Sequence, residues 1–179
     1  LNMLSRIKTF LWMCAHGSIG VKVCLLRRGV VKEESCPICQ GTSETILHAL
    51  RDCHKIKDVW RQLGIQRIDR VFWTSNLQDW IKTNSKDRKS CLQGNPPWNI
   101  IFPIAVWNLW KSRNMFIFKR KSQNLNLSNE IVNQAVEFLC YAASPRNPTQ
   151  VVTRSIRWEK PAIGWKKLNT DGSVLGSVG

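Results

Sequence analysis

The sequence predicts a mainly α-helical body over residues 1–143 with a short β-like stub behind it, and three observations predict this. Apolar residues recur at helical spacing along most of the first 143 positions. Forty-three per cent of the residues are apolar, enough to build a core and to exclude disorder throughout, and nine tryptophans supply large aromatic anchors for it. The run Ser144-Pro145-Arg146-Asn147-Pro148 then breaks the pattern, and the residues beyond it turn β-like.

Residues 3–15 and 21–28 read as two short helices split by Gly17 and Gly20, with Arg6 and Lys8 interleaved among Ile7, Phe10 and Leu11. Gly29 is a natural stop for the second. Residues 33–55 change character to glutamates, cysteines, a proline, a glycine and small polar groups, a stretch that buries little of itself and needs a staple. A helix resumes from Ile56 to Leu63, carrying Val59 and Trp60, and another centres on Leu77 to Ile81. Residues 84–97 read as a polar, Lys-rich loop ending in Pro96-Pro97. The strongest helix runs from about Ile101 to Lys121, with Pro103 tolerable only in its first turn. A last helix runs from a Ser128 cap to Tyr141. Past the linker, Arg157-Trp158 and Trp165 to Thr170 read as strands, with a turn at Asp171-Gly172.

The charge is strongly positive. Twenty-seven Lys and Arg face twelve Asp and Glu, for a net charge of +15, a field that recruits polyanions, phosphate backbones first among them. Residues 1–70 carry twelve basic and six acidic groups, residues 71–126 nine and two, and residues 127–179 six and four. The basic surface therefore belongs to the first two-thirds of the chain and decorates a folded body rather than a tail. The apolar stretch Phe10–Ala15 is too short for a secretory signal, and Ile100–Trp110 contains Pro103 and Asn108 and cannot span a bilayer. An intracellular, nuclear location without a membrane partner is expected, and in such a reducing compartment clustered cysteines mean metal rather than disulfide.

The sharpest local signal is Cys36-Pro37-Ile38-Cys39, eight residues, His48, four residues, Cys53. A Cys-x2-Cys turn presents two thiolates from one tight loop, and a paired His and Cys complete the four N and S ligands that zinc prefers. His48 and Cys53 stand five apart, so both face one ion only where the helical turn is loose. The plain alternative is two buried thiols and a core histidine. His54 is a rival ligand, but its side chain is expected to point away from that of Cys53. With all four positions filled by protein, a small CCHC zinc knuckle of this kind is a closed structural site with no place for a catalytic water. Cys14, Cys24, Cys91 and Cys140 read as small buried residues.

These motifs carry a resemblance. Arg6-Ile7-Lys8-Thr9-Phe10-Leu11-Trp12, then Arg28-Gly29, then Cys36, Cys39, Glu44, His48 and Cys53 resemble the zinc-binding domain that follows reverse transcriptase in plant LINE-type (non-LTR) retrotransposons. Trp107-x2-Trp110-Lys111-x-Arg113-Asn114 resembles the helical segment next to it in those proteins. Trp158-x-Lys160-Pro161 and Gly164-Trp165-x-Lys167-Leu168-Asn169-Thr170-Asp171-Gly172-Ser173 resemble the opening strand of their RNase H-like domain. Residues 64–97 match nothing nameable. The resemblance implies a zinc-binding domain at 1–63, a helical extension at 64–143, a linker at 144–157 and a truncated RNase H-like start at 158–179.

It also implies a nucleic-acid-processing protein of retroelement origin. Arg27, Arg28, Arg51, Lys55 and Lys57, close to the knuckle, are the candidate phosphate contacts. Asp171 matches the first RNase H carboxylate. RNase H chemistry uses two Mg2+ ions held by several carboxylates, so Mg2+ is expected only in a full-length domain, and no ribonuclease activity is predicted for these 179 residues. The start at Leu1 and the end at Gly179 suggest a truncated product. The competing readings are a protein-interaction module, with Trp107 and Trp110 as anchors instead of core, and an inactive retroelement remnant.

Overall fold

A computed structural model describes residues 5–65, 69–89, 94–119, 126–143 and 162–165. Among these residues there are seven α-helices: α1 (Ser5–Ala15), α2 (Lys22–Arg27), α3 (His54–Gln62), α4 (Arg70–Thr74), α5 (Leu77–Asn84), α6 (Trp98–Lys119) and α7 (Leu127–Ala143), with a single wide π turn, His48–Asp52, just before α3. Among the described residues there is no strand, only an isolated antiparallel bridge between Ser35 and Ser43. Residues 1–144 form one compact unit and residues 145–179 another. The mainly helical class is as expected. Of the second unit only residues 162–165 are described, a turn closed by the Trp165 N–H to the Ala162 carbonyl at 3.0 Å, so the expected strands and Asp171 lie outside the described residues.

The first unit is organised around α6, which packs against α1, α5, α7 and the π turn. Its N-terminal half is largely apolar because most of it is enclosed: Ile100, Ile101, Phe102, Ile104, Ala105, Val106 and Leu109 are all buried. Beside it sits an aromatic cluster centred on Trp60, whose ring lies 5.2–6.1 Å from those of Phe72, Trp80, Trp98 and Phe102. These separations suit edge-to-face and tilted ring pairs, each worth about 0.5–1.5 kcal/mol beyond its buried area. Trp60 Nε1–H donates to the Leu50 carbonyl at 2.9 Å, which ties α3 to the π turn.

Both N-terminal helices end as their glycines require. Gly29, at φ +68°, donates to the Leu26 carbonyl while Val30 N–H reaches that of Leu25, and Gly17, at φ +67°, does the same with Cys14 while Ser18 N–H reaches Met13. This paired-bond ending needs a left-handed residue just past the helix, where glycine carries no Cβ penalty.

Three expectations are corrected and one element is added. The α6 helix starts at Trp98, which places Pro103 in the second turn instead of the first; the early start is anchored by Trp98, buried, with Nε1–H donating to Asn84 Oδ1 at 2.8 Å. Ser128 is not a cap: α7 already runs at Leu127, and the buried Ser128 hydroxyl donates to Gln62 Oε1 at 2.7 Å. A short α4, to which no element was assigned in the sequence, precedes α5, and its Phe72 plugs into the aromatic cluster. Finally, the leftover cysteines are not uniformly buried: Cys14 is, Cys24 is half-buried, Cys140 is exposed on α7, and Cys91 lies outside the described residues.

Candidate metal centre

Two pieces of backbone build the site. The first is a knuckle: Cys36 N–H donates to the Thr42 carbonyl at 2.8 Å, Gln40 N–H returns to the Cys36 carbonyl at 2.8 Å, and Glu44 N–H reaches the Glu34 carbonyl at 2.7 Å. Gln40 takes a left-handed conformation at φ 56° to close the loop. The Cys-x2-Cys spacing thus puts both sulfurs on the inside of one turn.

The second piece is the π turn. Cys53 N–H donates to the His48 carbonyl at 3.0 Å, five residues back, where an α-helix would bond four back. The wider turn brings positions 48 and 53 onto the same side, the loose turn that their spacing demands. As a result one ligand atom from each of Cys36, Cys39, His48 and Cys53 lies within 4.8 Å of the others. Zinc–sulfur bonds of about 2.3 Å put tetrahedral ligand atoms about 3.8 Å apart, so the four donors can close on one ion with small movements. His54 begins α3, is exposed, and stands outside the group.

Further groups hold these donors in place. Cys39 Sγ and His48 Nε2 are 3.3 Å apart, and His48 Nδ1 sits 3.1 Å from Thr42 Oγ1. With Nδ1 engaged by the hydroxyl, Nε2 is turned to the sulfurs, and the outer contact fixes the orientation of the ring. A hydrogen bond from Cys53 holds the Cys36 thiol down to about 4 against the effect of burial, helped by the backbone N–H groups of Cys39 and Ile38. That same bond, with burial and the neighbouring sulfurs, pushes Cys53 up. The two sulfurs are thus close enough to share one divalent cation.

Residues 1–60 match the family described as zinc-binding in reverse transcriptase. The matched stretch contains all four donors. The chain is also 32% identical, across 97% of its length, to the Arabidopsis thaliana protein named "Putative ribonuclease H protein", of which it spans 28%. No solved structure matches. The resemblance read from the motifs therefore holds at this level: a segment similar to the reverse-transcriptase zinc-binding family, within a chain similar to a plant protein bearing a ribonuclease H name, consistent with retroelement origin.

The zinc-binding segment is joined to α6 by a buried ion pair that sequence reasoning did not assemble, although both partners stand in the quoted motifs. Glu44 is fully buried, and Arg113 of α6 grips it bidentately, Nε to Oε1 at 3.0 Å and Nη2 to Oε2 at 2.5 Å. Lys22 N–H at the start of α2 adds a third bond to Oε2 at 2.8 Å, and the Arg113 guanidinium lies 4.9 Å from the Trp110 ring centre. So residues 33–55 are not held by the sulfur cluster alone, as the composition suggested: Glu44, Ile46, Leu50 and Arg51 are also buried there.

The five basic residues proposed as phosphate contacts separate into three groups. Arg27, Arg28 and Lys55 are exposed. Lys57 is half-buried, its Nζ 5.7 Å from the Trp73 ring centre. Arg51 faces inward at 4% exposure, donating to the Phe72 and Ser75 carbonyls at 3.2 and 2.7 Å and to both Asp52 oxygens. Its charge is consumed by the fold. Trp107 and Trp110 are half-buried against Phe10, at 5.1 and 5.8 Å, which makes them part of the core margin.

Proposed function

We propose that this chain is a zinc-stapled nucleic-acid-binding part of a retroelement reverse transcriptase/RNase H protein. Residues 1–63 hold Zn2+ through Cys36, Cys39, His48 and Cys53, residues 64–143 buttress them, and residues 158–179 open an RNase H-like domain past a linker at 144–157. The observation that carries this is the convergence of three sulfurs and one oriented imidazole within 4.8 Å, inside a stretch matching a reverse-transcriptase zinc-binding family. The ion has a structural role, because four protein donors leave no open position. Polyanion binding rests on the net charge of +15 and on the exposed Arg27, Arg28 and Lys55 near the knuckle.

Metal analysis of the purified chain beside Cys36→Ser tests the staple: one zinc per chain is expected, lost with the N-terminal fold in the variant. Salt titration of oligonucleotide binding tests the partner, and binding that is absent or insensitive to salt refutes it. Mg2+ chemistry belongs to a full-length RNase H domain. Asp171 alone, as the one acidic group after Glu159 in these residues, does not supply the several carboxylates required. Cleavage of a labelled RNA–DNA hybrid, lost on Asp171→Asn, would overturn that part. No described helix is long and apolar enough to cross a membrane.

A further inference from the structure

Three helices of the first unit leave a groove on the side of α6 that carries Trp107. It encloses about 460 Å³, within the usual size of a small-ligand pocket. The floor is apolar, with Ile7 from α1 and Ile104 from α6 both buried. Trp107, Phe138 and Tyr141 line the walls, and Tyr141 is 75% exposed, an unusual place for the only tyrosine of the chain. Arg6 on α1 and Lys111 on α6 flank the opening, both exposed. The spacing is helical on each element: 104, 107 and 111 on α6, and 134, 137, 138 and 141 on α7.

An aromatic wall between two cations is the combination that holds one unpaired nucleotide: a flat face for the base and positive charge for its phosphates. Glu137, the one carboxylate among the described residues lining the groove, supplies an acceptor for an N–H on the base edge, and the two cations offset its charge toward phosphate. Duplex DNA keeps its bases stacked inside and cannot offer one to Tyr141. We infer that this groove binds an unpaired nucleotide of a single strand, with the base against Tyr141 and Trp107 and the phosphates on Arg6 and Lys111. The inference rests on the proposed nucleic-acid function but uses none of the phosphate contacts near the knuckle.

The test compares binding of 12-nucleotide oligo(dT), oligo(U) and a 12-base-pair duplex, by fluorescence anisotropy, to the wild type, Tyr141→Ala, Arg6→Ala/Lys111→Ala and Lys55→Ala. Tyr141→Ala should weaken single-strand binding roughly five- to a hundred-fold, the range for one stacked base, and leave the duplex within about twofold. Arg6→Ala/Lys111→Ala should lower the salt slope for single strands by about 1.4, from about 0.7 for each phosphate no longer neutralised. The two single strands distinguish an RNA source from a DNA source. Because Tyr141 is exposed, zinc content and helicity should stay at wild-type levels, and photo-crosslinks from bromodeoxyuridine should map to α6 or α7. If these variants bind single strands as the wild type does while Lys55→Ala weakens binding, the groove inference falls and the broader reading stands. A wild type that binds no nucleic acid sinks both. A change of sedimentation state in Tyr141→Ala, with nucleotide affinity intact, makes the groove an interface between copies and also overturns the inference.

Discussion

Replacing Glu44 with glutamine tests the idea that the zinc-binding segment is anchored to the helical body through charge. The substitution keeps the shape but leaves Arg113, 3% exposed, with an uncompensated positive charge. It also downgrades the acceptor shared by Arg113 and the Lys22 N–H. Breaking one side of a buried pair costs about 3–5 kcal/mol, a large part of the roughly 5–15 kcal/mol that holds a typical domain together. For a unit of this size each kcal/mol lowers the melting temperature by about 2–4 °C, so a fall of about 6–20 °C is expected. Thermal denaturation followed by tryptophan fluorescence, with metal saturating, measures it. The pair is shielded from solvent, so the fall should differ little between low and high salt. The double variant Glu44→Leu/Arg113→Met removes both charges and should recover much of the loss. A melting temperature within about 2 °C of wild type for Glu44→Gln, or a double variant no better than the single one, would refute the argument.

Thr42→Val should weaken metal affinity by about 10–100-fold while keeping one ion per chain, because it frees His48 Nδ1 without removing a donor; competition with a chromogenic chelator reads this directly. Arg51→Met should lower stability by about 1–3 kcal/mol by leaving the Phe72 and Ser75 carbonyls short of a donor, yet leave the salt slope of oligonucleotide binding unchanged, whereas Lys55→Ala should reduce that slope by about one; a lower slope in Arg51→Met contradicts the inward placement. Burial pushes the Cys14 thiol up to about 12 from an ordinary 9, so the unfolded chain ionises there before the folded one does. Its contribution to stability is complete below pH 9 and is lost as pH rises from 9 toward 12, and Cys14→Ala should remove that part of the alkaline slope in urea denaturation. At pH 8 iodoacetamide should label exposed Cys140 well before buried Cys14, as peptide mass spectrometry would show.

The sequence alone determined the local chemistry: the helical class, the break between the first two helices at Gly17 and Gly20, the stop at Gly29, and the choice of Cys36, Cys39, His48 and Cys53 as one donor group. Each of these depends on residues close in the chain. Spacing within a turn decides which side chains can meet, and a residue without a Cβ decides where a helix can end. The five-residue gap from His48 to Cys53 let both reach one ion on condition of a loose turn, and the π turn at His48–Asp52 meets that condition. Tertiary structure alone decided the rest, because burial and pairing are set by partners far along the chain. Arg51 reads like any basic residue beside a knuckle until the carbonyls of Phe72 and Ser75 come to it from α4 and the residue just past that helix. Glu44 and Arg113 stand in two separate motifs, and only the packing of α6 against the zinc-binding segment puts them in contact. The groove beside Trp107 likewise has no trace in any single stretch, since α1, α6 and α7 each supply only part of it.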